Sequence, residues 1–110
     1  MIEEELTAIV ERFNRHADRT PALREELAGL SRTIAIRMTD GGAFAVDLVE
    51  GHLQNLRTEK VPKADVTVTT DSATFHSLIA KEMGPMKALV TRRLTIDGSL
   101  EDKLLFRKLL

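Results

Sequence analysis

The first part of the chain carries its apolar side chains in one helical stripe. They recur every three or four positions between residues 2 and 17, at Ile2, Leu6, Ile9, Val10, Phe13 and Ala17. This spacing predicts an amphipathic helix. Glutamates at positions 3–5 fall in its first turn, where the helix dipole favours negative charge. Thr20-Pro21 then predicts the cap and first turn of a second, short helix that ends at about Gly29.

From Leu30 the apolar positions alternate with polar or small ones, which predicts strands. Two such strands flank the turn sequence Asp40-Gly41-Gly42, and their apolar positions are Ile34, Ile36, Met38, Phe44, Val46 and Leu48. A third strand is predicted at about 52–58, although its alternation is weaker. Residues 65–70 are rich in β-branched side chains and predict a fourth strand.

The second half returns to helices. A helix capped by Asp71 or Ser72 carries Phe75, Leu78, Ile79 and Met83 on one face, and Gly84 is expected to end it. Pro85 begins another short helix, with Met86, Leu89 and Val90 on one side. A last strand ends at Asp97-Gly98, and Ser99-x-x-Asp102 predicts a capping box for a C-terminal helix. These elements predict one α+β domain over residues 1–110.

The predicted C-terminal helix is apolar on more than one side. Its apolar residues are Leu100, Leu104, Leu105, Phe106, Leu109 and Leu110. A helix that docks by one face does not need them all. It could dock on two elements, cover a cavity, meet a partner chain such as a second copy, or expose a few leucines.

Composition removes several classes of function. The 110 residues have a formal net charge of −1 and include no cysteine, which excludes disulfide scaffolds, thiol catalysis and cysteinyl metal sites. The acidic start lacks the basic region of a signal peptide, and no apolar run reaches the roughly 18–20 residues of a membrane span. These features predict a cytoplasmic protein.

Charge is unevenly distributed along the chain: all six lysines lie beyond residue 55. If the basic residues of this second half form a continuous surface, that surface would attract an anionic head group or an anionic membrane surface. An ordinary mixed-charge surface is the alternative. Neither the net charge nor the aromatic content favours nucleic-acid binding.

Reactive chemistry is sparse. His16, His52 and His76 fall on different predicted elements, without metal-ligand spacing, so no metal site is predicted. Ser72 and His76 are four residues apart, but the simpler reading makes Ser72 a cap and His76 a solvent-facing residue. Asp47 points away from the apolar face of its strand. No phosphate-binding glycine motif occurs, so neither an enzyme nor a cofactor is predicted.

An ordered set of short motifs resembles the sterol-carrier-protein type-two domain family. The motifs are Phe44-x-Val46-Asp47-Leu48-Val49-Glu50-Gly51, Ala64-Asp65-Val66-Thr67-Val68-Thr69-Thr70-Asp71, Gly84-Pro85-Met86-Lys87-Ala88-Leu89 and Arg93-Leu94-Thr95-Ile96-Asp97-Gly98-Ser99. The resemblance covers roughly residues 30–110. The chain departs from the family where Thr91-Arg92 precedes the last strand, where Ser99 follows the final glycine, and in ending Leu109-Leu110 without a peroxisomal signal.

The resemblance implies the order α-β-β-β, crossover, β-α-β-α, with a five-stranded, mostly antiparallel sheet covered by helices. It also implies non-enzymatic binding or transfer of a fatty acid, fatty acyl-CoA or sterol-like lipid in an apolar tunnel that the last helix closes. The lining implied by position is Phe75, Leu78, Ile79, Met83, Met86, Leu89, Val90, Ile96, Leu104 and Leu105. The alternative is an interaction or dimerisation module of the same fold with a collapsed tunnel, accessory to another protein, which uses Phe106 or Leu110.

Overall fold

Five helices and five strands, in the predicted order, make up the described part of the chain. The computed structural model describes the backbone of residues 2–109 and the side chains of residues 2–105. The elements are α1 (Ile2–Arg19), α2 (Pro21–Leu27), β1 (Ser31–Met38), β2 (Ala43–Val49), β3 (His52–Thr58), β4 (Val66–Thr70), α3 (Ser72–Ile79), α4 (Pro85–Val90), β5 (Leu94–Gly98) and α5 (Leu100–Leu109). The side chains of Phe106 and Leu110, predicted to contact a partner, lie outside the described residues. No described helix combines the length and apolarity needed to cross a bilayer.

The strands form one mixed sheet in the order β3-β2-β1-β4-β5. Neighbouring strands are antiparallel except β1 and β4. After β3 the chain crosses past β2 and β1, and β4 then pairs parallel to β1. This confirms the predicted mostly antiparallel sheet with a crossover. Ile34 pairs with Val46 on one side and Val66 on the other, so the alternating apolar residues share one face.

The core lies between that face and the helices. Leu27 of α2 packs with buried residues of three strands, while Leu6 of α1 packs with Phe75 of α3 in a second cluster. On the opposite face Asp47 lies 3.4 Å from Arg57, which confirms that Asp47 points away from the core. The sheet therefore has one apolar face, and α1 and α3 cover part of it.

A bulge explains the weak alternation of β3. The pairing of β2 with β3 shifts register between Ala45 and Asp47, and Asn55 has a φ of 58°. The extra residue moves the inward position from Leu53 to Leu56, three residues later, and both leucines pack against the core. A strict period of two is therefore lost although the strand spans residues 52–58 as predicted.

The predicted end of α3 at Gly84 is wrong, because the helix ends at Ile79. Lys81 takes a φ of 60° and donates its N–H to Leu78, while the N–H of Glu82 reaches the carbonyl of Ser77. This is the Schellman arrangement, with lysine at the left-handed position that glycine usually occupies. Gly84 instead precedes α4 as its N-cap.

The cap of α3 is Asp71, not Ser72. Asp71 accepts hydrogen bonds from the backbone N–H and the hydroxyl of Thr74, at 2.7 and 3.0 Å. Ser72 lies inside the helix and donates its N–H and hydroxyl to Asp40 at the β1–β2 turn. Asp71 is therefore the N-cap of α3, whereas Ser72 joins α3 to the β1–β2 hairpin.

Candidate functional site

An apolar cavity lies between the sheet and its helical cover. It has a volume of about 340 Å³ and is partly open to solvent. Its walls come from α1, the inward face of all five strands, α3 and the start of α4. The lining residues are Leu6, Ile9, Arg12, Phe13, Ile34, Ile36, Val46, Leu48, Leu53, Val68, Thr70, Phe75, Leu78, Ile79, Pro85, Leu94 and Ile96.

Two polar side chains interrupt this lining. Thr70 is buried, and its hydroxyl donates to the carbonyl of Arg93 at 2.9 Å, so its hydrogen-bonding capacity is used within the protein. Arg12 is exposed although it lines the cavity, which places it where the cavity meets solvent. No described side chain pairs with Arg12. The cavity thus combines an apolar interior with one cation at its edge.

Helix α1, which provides one wall, is fastened to the sheet along its length. Asn14 donates to the carbonyl of Leu53 at 2.8 Å and accepts the Leu53 N–H at 2.7 Å. These bonds satisfy backbone groups of β3, which is an edge strand. Near the end of α1, Asp18 lies 2.7 Å from Nε2 of His52. Helix α1 is therefore a fixed wall of the cavity rather than a loose cover.

Four of the residues that the resemblance implied as tunnel lining do face this cavity. They are Phe75, Leu78, Ile79 and Ile96. The spacing of the first three on α3 turns them toward the sheet, as an i, i+3, i+4 stripe does. Ile96 comes from the inward face of β5, opposite Val68.

The other implied residues lie elsewhere. A separate groove of about 340 Å³ between α4 and α5 is lined by Met86, Leu89, Val90 and Leu104, together with Ile96, Leu100 and Lys103. Leu105 packs against the core and, with Leu104, borders a third cavity of about 320 Å³ beside Arg32. Met83 is half-buried and borders none of these three spaces.

The described side chains of α5 lie beside the main cavity without lining it. Through Leu105, where the described side chains end, α5 contributes none of its lining. Instead Asp102, which is 7% exposed, pairs with Nε of Arg32 at 3.0 Å, and this hydrogen bond raises the pKa of the Arg32 guanidinium. Ser99 accepts the N–H of Asp102 as predicted, but the carboxylate turns to β1 rather than back to Ser99. Closure of the tunnel by α5 therefore stays a prediction, while α1 and α3 form the described helical walls of the cavity.

Sequence reasoning missed the contribution of α1. Leu6, Ile9 and Phe13 were recognised as an apolar stripe, and a stripe is equally typical of ordinary core packing. Arg12 lies between Ile9 and Phe13 of that stripe, and this position is visible in the sequence. Whether it places Arg12 beside a cavity depends on how α1 crosses the sheet, which no local pattern reveals.

The Ser72–His76 pair is not assembled as a nucleophile and base. The Ser72 hydroxyl donates to Asp40, whereas Nδ1 of His76 lies 3.0 Å from Glu5 of α1. Both side chains thus join α3 to neighbouring elements. Among the described residues, no three histidine or carboxylate side chains come together as a metal-binding group.

Comparisons with solved structures support the same fold. A crystal structure of sterol carrier protein 2 superposes with a TM-score of 0.63, at 20% identity over 89% of this chain and 83% of that one. A structure described as UbiJ-SCP2, a ubiquinone synthesis protein, gives 0.64 at 18% identity, covering 99% and 96%. A stereoselective inverting sec-alkylsulfatase, Pisa1 from Pseudomonas sp., gives 0.59 at 26% identity over 79% of this chain.

The chain covers only 14% of the length of that alkylsulfatase, so the similarity concerns one part of a much larger enzyme. No curated protein matches the chain at a significant level. The model of the SCP-2 sterol transfer family matches residues 11–110. This match takes in every strand, α2 to α5 and the part of α1 that carries Arg12 and Phe13. The chain belongs to the SCP-2 sterol transfer family.

Proposed function

We propose that the chain binds the acyl chain of an amphipathic lipid, in the first place a fatty acid, in the cavity between α1, α3 and the sheet. It carries the lipid without converting it. The observation that carries this proposal is the cavity of about 340 Å³, whose lining is apolar apart from Thr70 and Arg12. Membership of a family described by sterol transfer supports it, because such transfer requires a site for a lipid.

The energetics of the cavity support an occupant. If all of its about 340 Å³ were enclosed and dry, the cavity would cost on the order of 8 kcal/mol at ~24 cal/mol per Å³; because it is partly open to solvent, this figure is an upper bound. Small domains have a total stability of only about 5–15 kcal/mol. Burying ten methylene groups contributes roughly 8 kcal/mol of transfer free energy, of which ordering the ligand takes back a part. An acyl chain thus offsets a cost that the protein would otherwise carry.

Arg12 favours a ligand with an anionic head group. Hydrogen bonds to an ionised acceptor are roughly twice as strong as those between neutral groups. Fatty acids and acyl-CoAs carry such an acceptor, whereas a sterol offers only a hydroxyl. The Arg12 guanidinium has no described partner and stands where the acyl chain would leave the cavity.

A competition assay tests both parts of the proposal. Palmitic acid and hexadecanol would each displace a fluorescent fatty acid from the full chain, and palmitic acid should displace it better. Arg12→Ala should reduce that preference by about threefold to fivefold, as expected for an exposed ion pair. Arg15→Ala is the matched control, because Arg15 is an exposed arginine of the same helix that does not line the cavity.

Two results would contradict the proposal in different ways. An unchanged acid-to-alcohol preference in Arg12→Ala would remove the head-group assignment and leave the cavity as a lipid site. No displaceable binding, together with no lipid released from the freshly purified protein in native mass spectrometry, would remove lipid binding itself.

A second candidate is an accessory module of a larger assembly. The alkylsulfatase similarity favours it, because a related fold there forms a minor part of a large enzyme chain. This function predicts self-association or stable binding to another protein while the cavity stays empty. Sedimentation equilibrium measures self-association directly, and a monomer at all concentrations would count against a dimerisation module.

A further inference from the structure

The exposed large apolar side chains of the described residues gather on one surface. Met86 and Val90 of α4 are 48% and 77% exposed, and Leu100 and Leu104 of α5 are 75% and 51% exposed. They border the space between the two helices, which we call the α4–α5 groove. A contiguous apolar surface of this kind marks an interaction site more often than scattered apolar residues do.

Helix geometry shows that these side chains do not belong to the core. Among the described residues of the two helices, Ala88 of α4 and Asp102 of α5 are buried against the rest of the protein. Residues 86, 89 and 90, and residues 100, 103 and 104, have the i, i+3, i+4 spacing of a second face on each helix. Both helices therefore dock by one side and present an apolar side outward.

The side of the groove formed by α4 and the following turn is basic. Between Glu82 and Asp97 the sequence contains Lys87, Arg92 and Arg93 but no acidic residue. All three basic side chains are exposed. The segment that contains α4 and the turn after it therefore contributes only positive charge beside the groove.

The described charged side chains of α5 also place positive charge at the groove. Lys103 lines the groove, together with Leu100 and Leu104. Glu101 borders the other space beside α5, where Arg32 and Glu26 also lie. Among the described side chains of α5, the acidic ones are thus turned away from the groove and Lys103 is turned toward it.

We propose that the α4–α5 groove docks on the surface of an anionic lipid bilayer. Exposed aliphatic side chains enter the boundary between head groups and acyl chains, and neighbouring lysines and arginines remain among anionic head groups. A second copy of the chain fits the groove less well. A two-fold interface would bring two surfaces of the same positive charge together, and like charges across an interface oppose binding.

Docking in this way would bring the bilayer next to the cavity. Ile96 lines both the α4–α5 groove and the cavity, so the two spaces share a wall at this residue. The docking inference goes beyond the proposed function and does not depend on it. If both hold, the protein would exchange its lipid while bound at a membrane surface.

Vesicle flotation at low salt tests the inference with the full chain. Vesicles of phosphatidylcholine with phosphatidylglycerol should carry the protein, and vesicles of phosphatidylcholine alone should not. The double variant Lys87→Glu/Leu100→Glu should bind the anionic vesicles more than about tenfold more weakly, since each charge near such a surface contributes about a factor of five. Leu100 is exposed in the first turn of α5, where glutamate suits the helix dipole, so the fold should be unaffected.

The matched control changes the same charge elsewhere. Ala22→Glu/Lys60→Glu alters two exposed residues outside the groove, in α2 and in the loop after β3. It should retain most of the binding of the unmodified chain. Equal loss in both double variants would show general charge attraction and overturn the inference. So would failure of the unmodified chain to bind anionic vesicles, or a dimer that only Lys87→Glu/Leu100→Glu dissociates.

Fatty-acid binding measured without vesicles separates this inference from the proposed function. Lys87→Glu/Leu100→Glu should bind a fluorescent fatty acid as the unmodified chain does, because neither residue lines the cavity. Vesicle binding without fatty-acid binding would overturn the proposed function and support docking. Fatty-acid binding with no vesicle binding would support the proposed function and overturn the docking inference.

Discussion

Asp71 connects the charge of one side chain to the stability of the whole fold. Its carboxylate accepts the backbone N–H of Thr74, and this hydrogen bond lowers the pKa of Asp71 below its ordinary value. A lowered folded-state pKa means that the carboxylate stabilises the fold above its unfolded-state pKa. That contribution is lost as the pH falls through the folded-state pKa.

Two substitutions separate the cap from its charge. Asp71→Ala should lower the free energy of unfolding at neutral pH by about 1 kcal/mol, because the Thr74 N–H loses its acceptor. Asp71→Asn still caps but does not titrate, so it should retain more stability at neutral pH and lose less than the unmodified chain on acidification. Urea unfolding at neutral pH and at about pH 3, below the ordinary aspartate pKa of about 3.9, measures both effects. An equally steep acid dependence in Asp71→Asn would contradict the assignment.

Gly98 shows why one motif position requires the smallest residue. A Cβ added there would lie 2.8 Å from the backbone carbonyl oxygen of Asp65, in the strand pair where Gly98 faces Val66. We expect Gly98→Ala to lower the free energy of unfolding by about 1–3 kcal/mol, because the backbone must move. Gly84→Ala, where a Cβ would meet nothing within 4 Å, should cost less. Thermal or urea unfolding compares the two, and equal losses would contradict the steric explanation.

At the scale of elements, Asn14 tests whether α1 is a structural wall of the cavity. Asn14→Ala would leave the N–H and carbonyl of Leu53 without their side-chain partner, which should cost about 1–3 kcal/mol. Hydrogen exchange should become faster in α1 and β3, and fatty-acid affinity should fall. Arg15→Ala, on the exposed side of α1, is the control. Unchanged exchange and affinity in Asn14→Ala would show that α1 is held by other contacts.

The order of elements could be predicted from local patterns, but some of their ends could not. The hairpin of β1 and β2 follows directly from alternation around Asp40-Gly41-Gly42. The end of α3 depends on Lys81 in a left-handed conformation, which lysine adopts only when the surrounding hydrogen bonds favour it. The shift within β3 likewise depends on Asn55. The first feature rests on backbone hydrogen bonds of Lys81 and Glu82 that their residue types do not announce, and the second arises in the pairing of β3 with β2.

The candidate site is a property of the whole molecule, and only part of it could be predicted. Phe75, Leu78 and Ile79 share a helix face that local spacing reveals. Val90 and Leu104 have equally apolar surroundings in the sequence, but their faces of α4 and α5 turn outward to the groove. Which apolar stripe lines a cavity depends on how the helices cross the sheet. That arrangement involves residues far apart in the chain.

Filling the cavity with a larger side chain tests whether its volume serves ligand binding. Val68 lines the cavity from β4, between Ile36 and Ile96 of the neighbouring strands. At ligand concentrations near 100 times Kd, a fatty acid should stabilise the unmodified chain by about 2.7 kcal/mol, a rise in Tm of roughly 10 °C or more. Val68→Phe should abolish that rise while its own Tm without ligand stays level or increases, because the new ring occupies space that is costly when empty.

Thr69→Phe is the control for this experiment, since adjacent residues of a strand point to opposite faces. It adds a ring of the same size on the side of β4 away from the cavity and should keep the ligand-induced rise in Tm. If Val68→Phe retained the full rise, the lipid would bind elsewhere, and the groove between α4 and α5 would become the next site to test. If both variants lost it, the effect would come from damage to β4 rather than from filling the cavity. Only loss confined to Val68→Phe ties the ligand to this cavity.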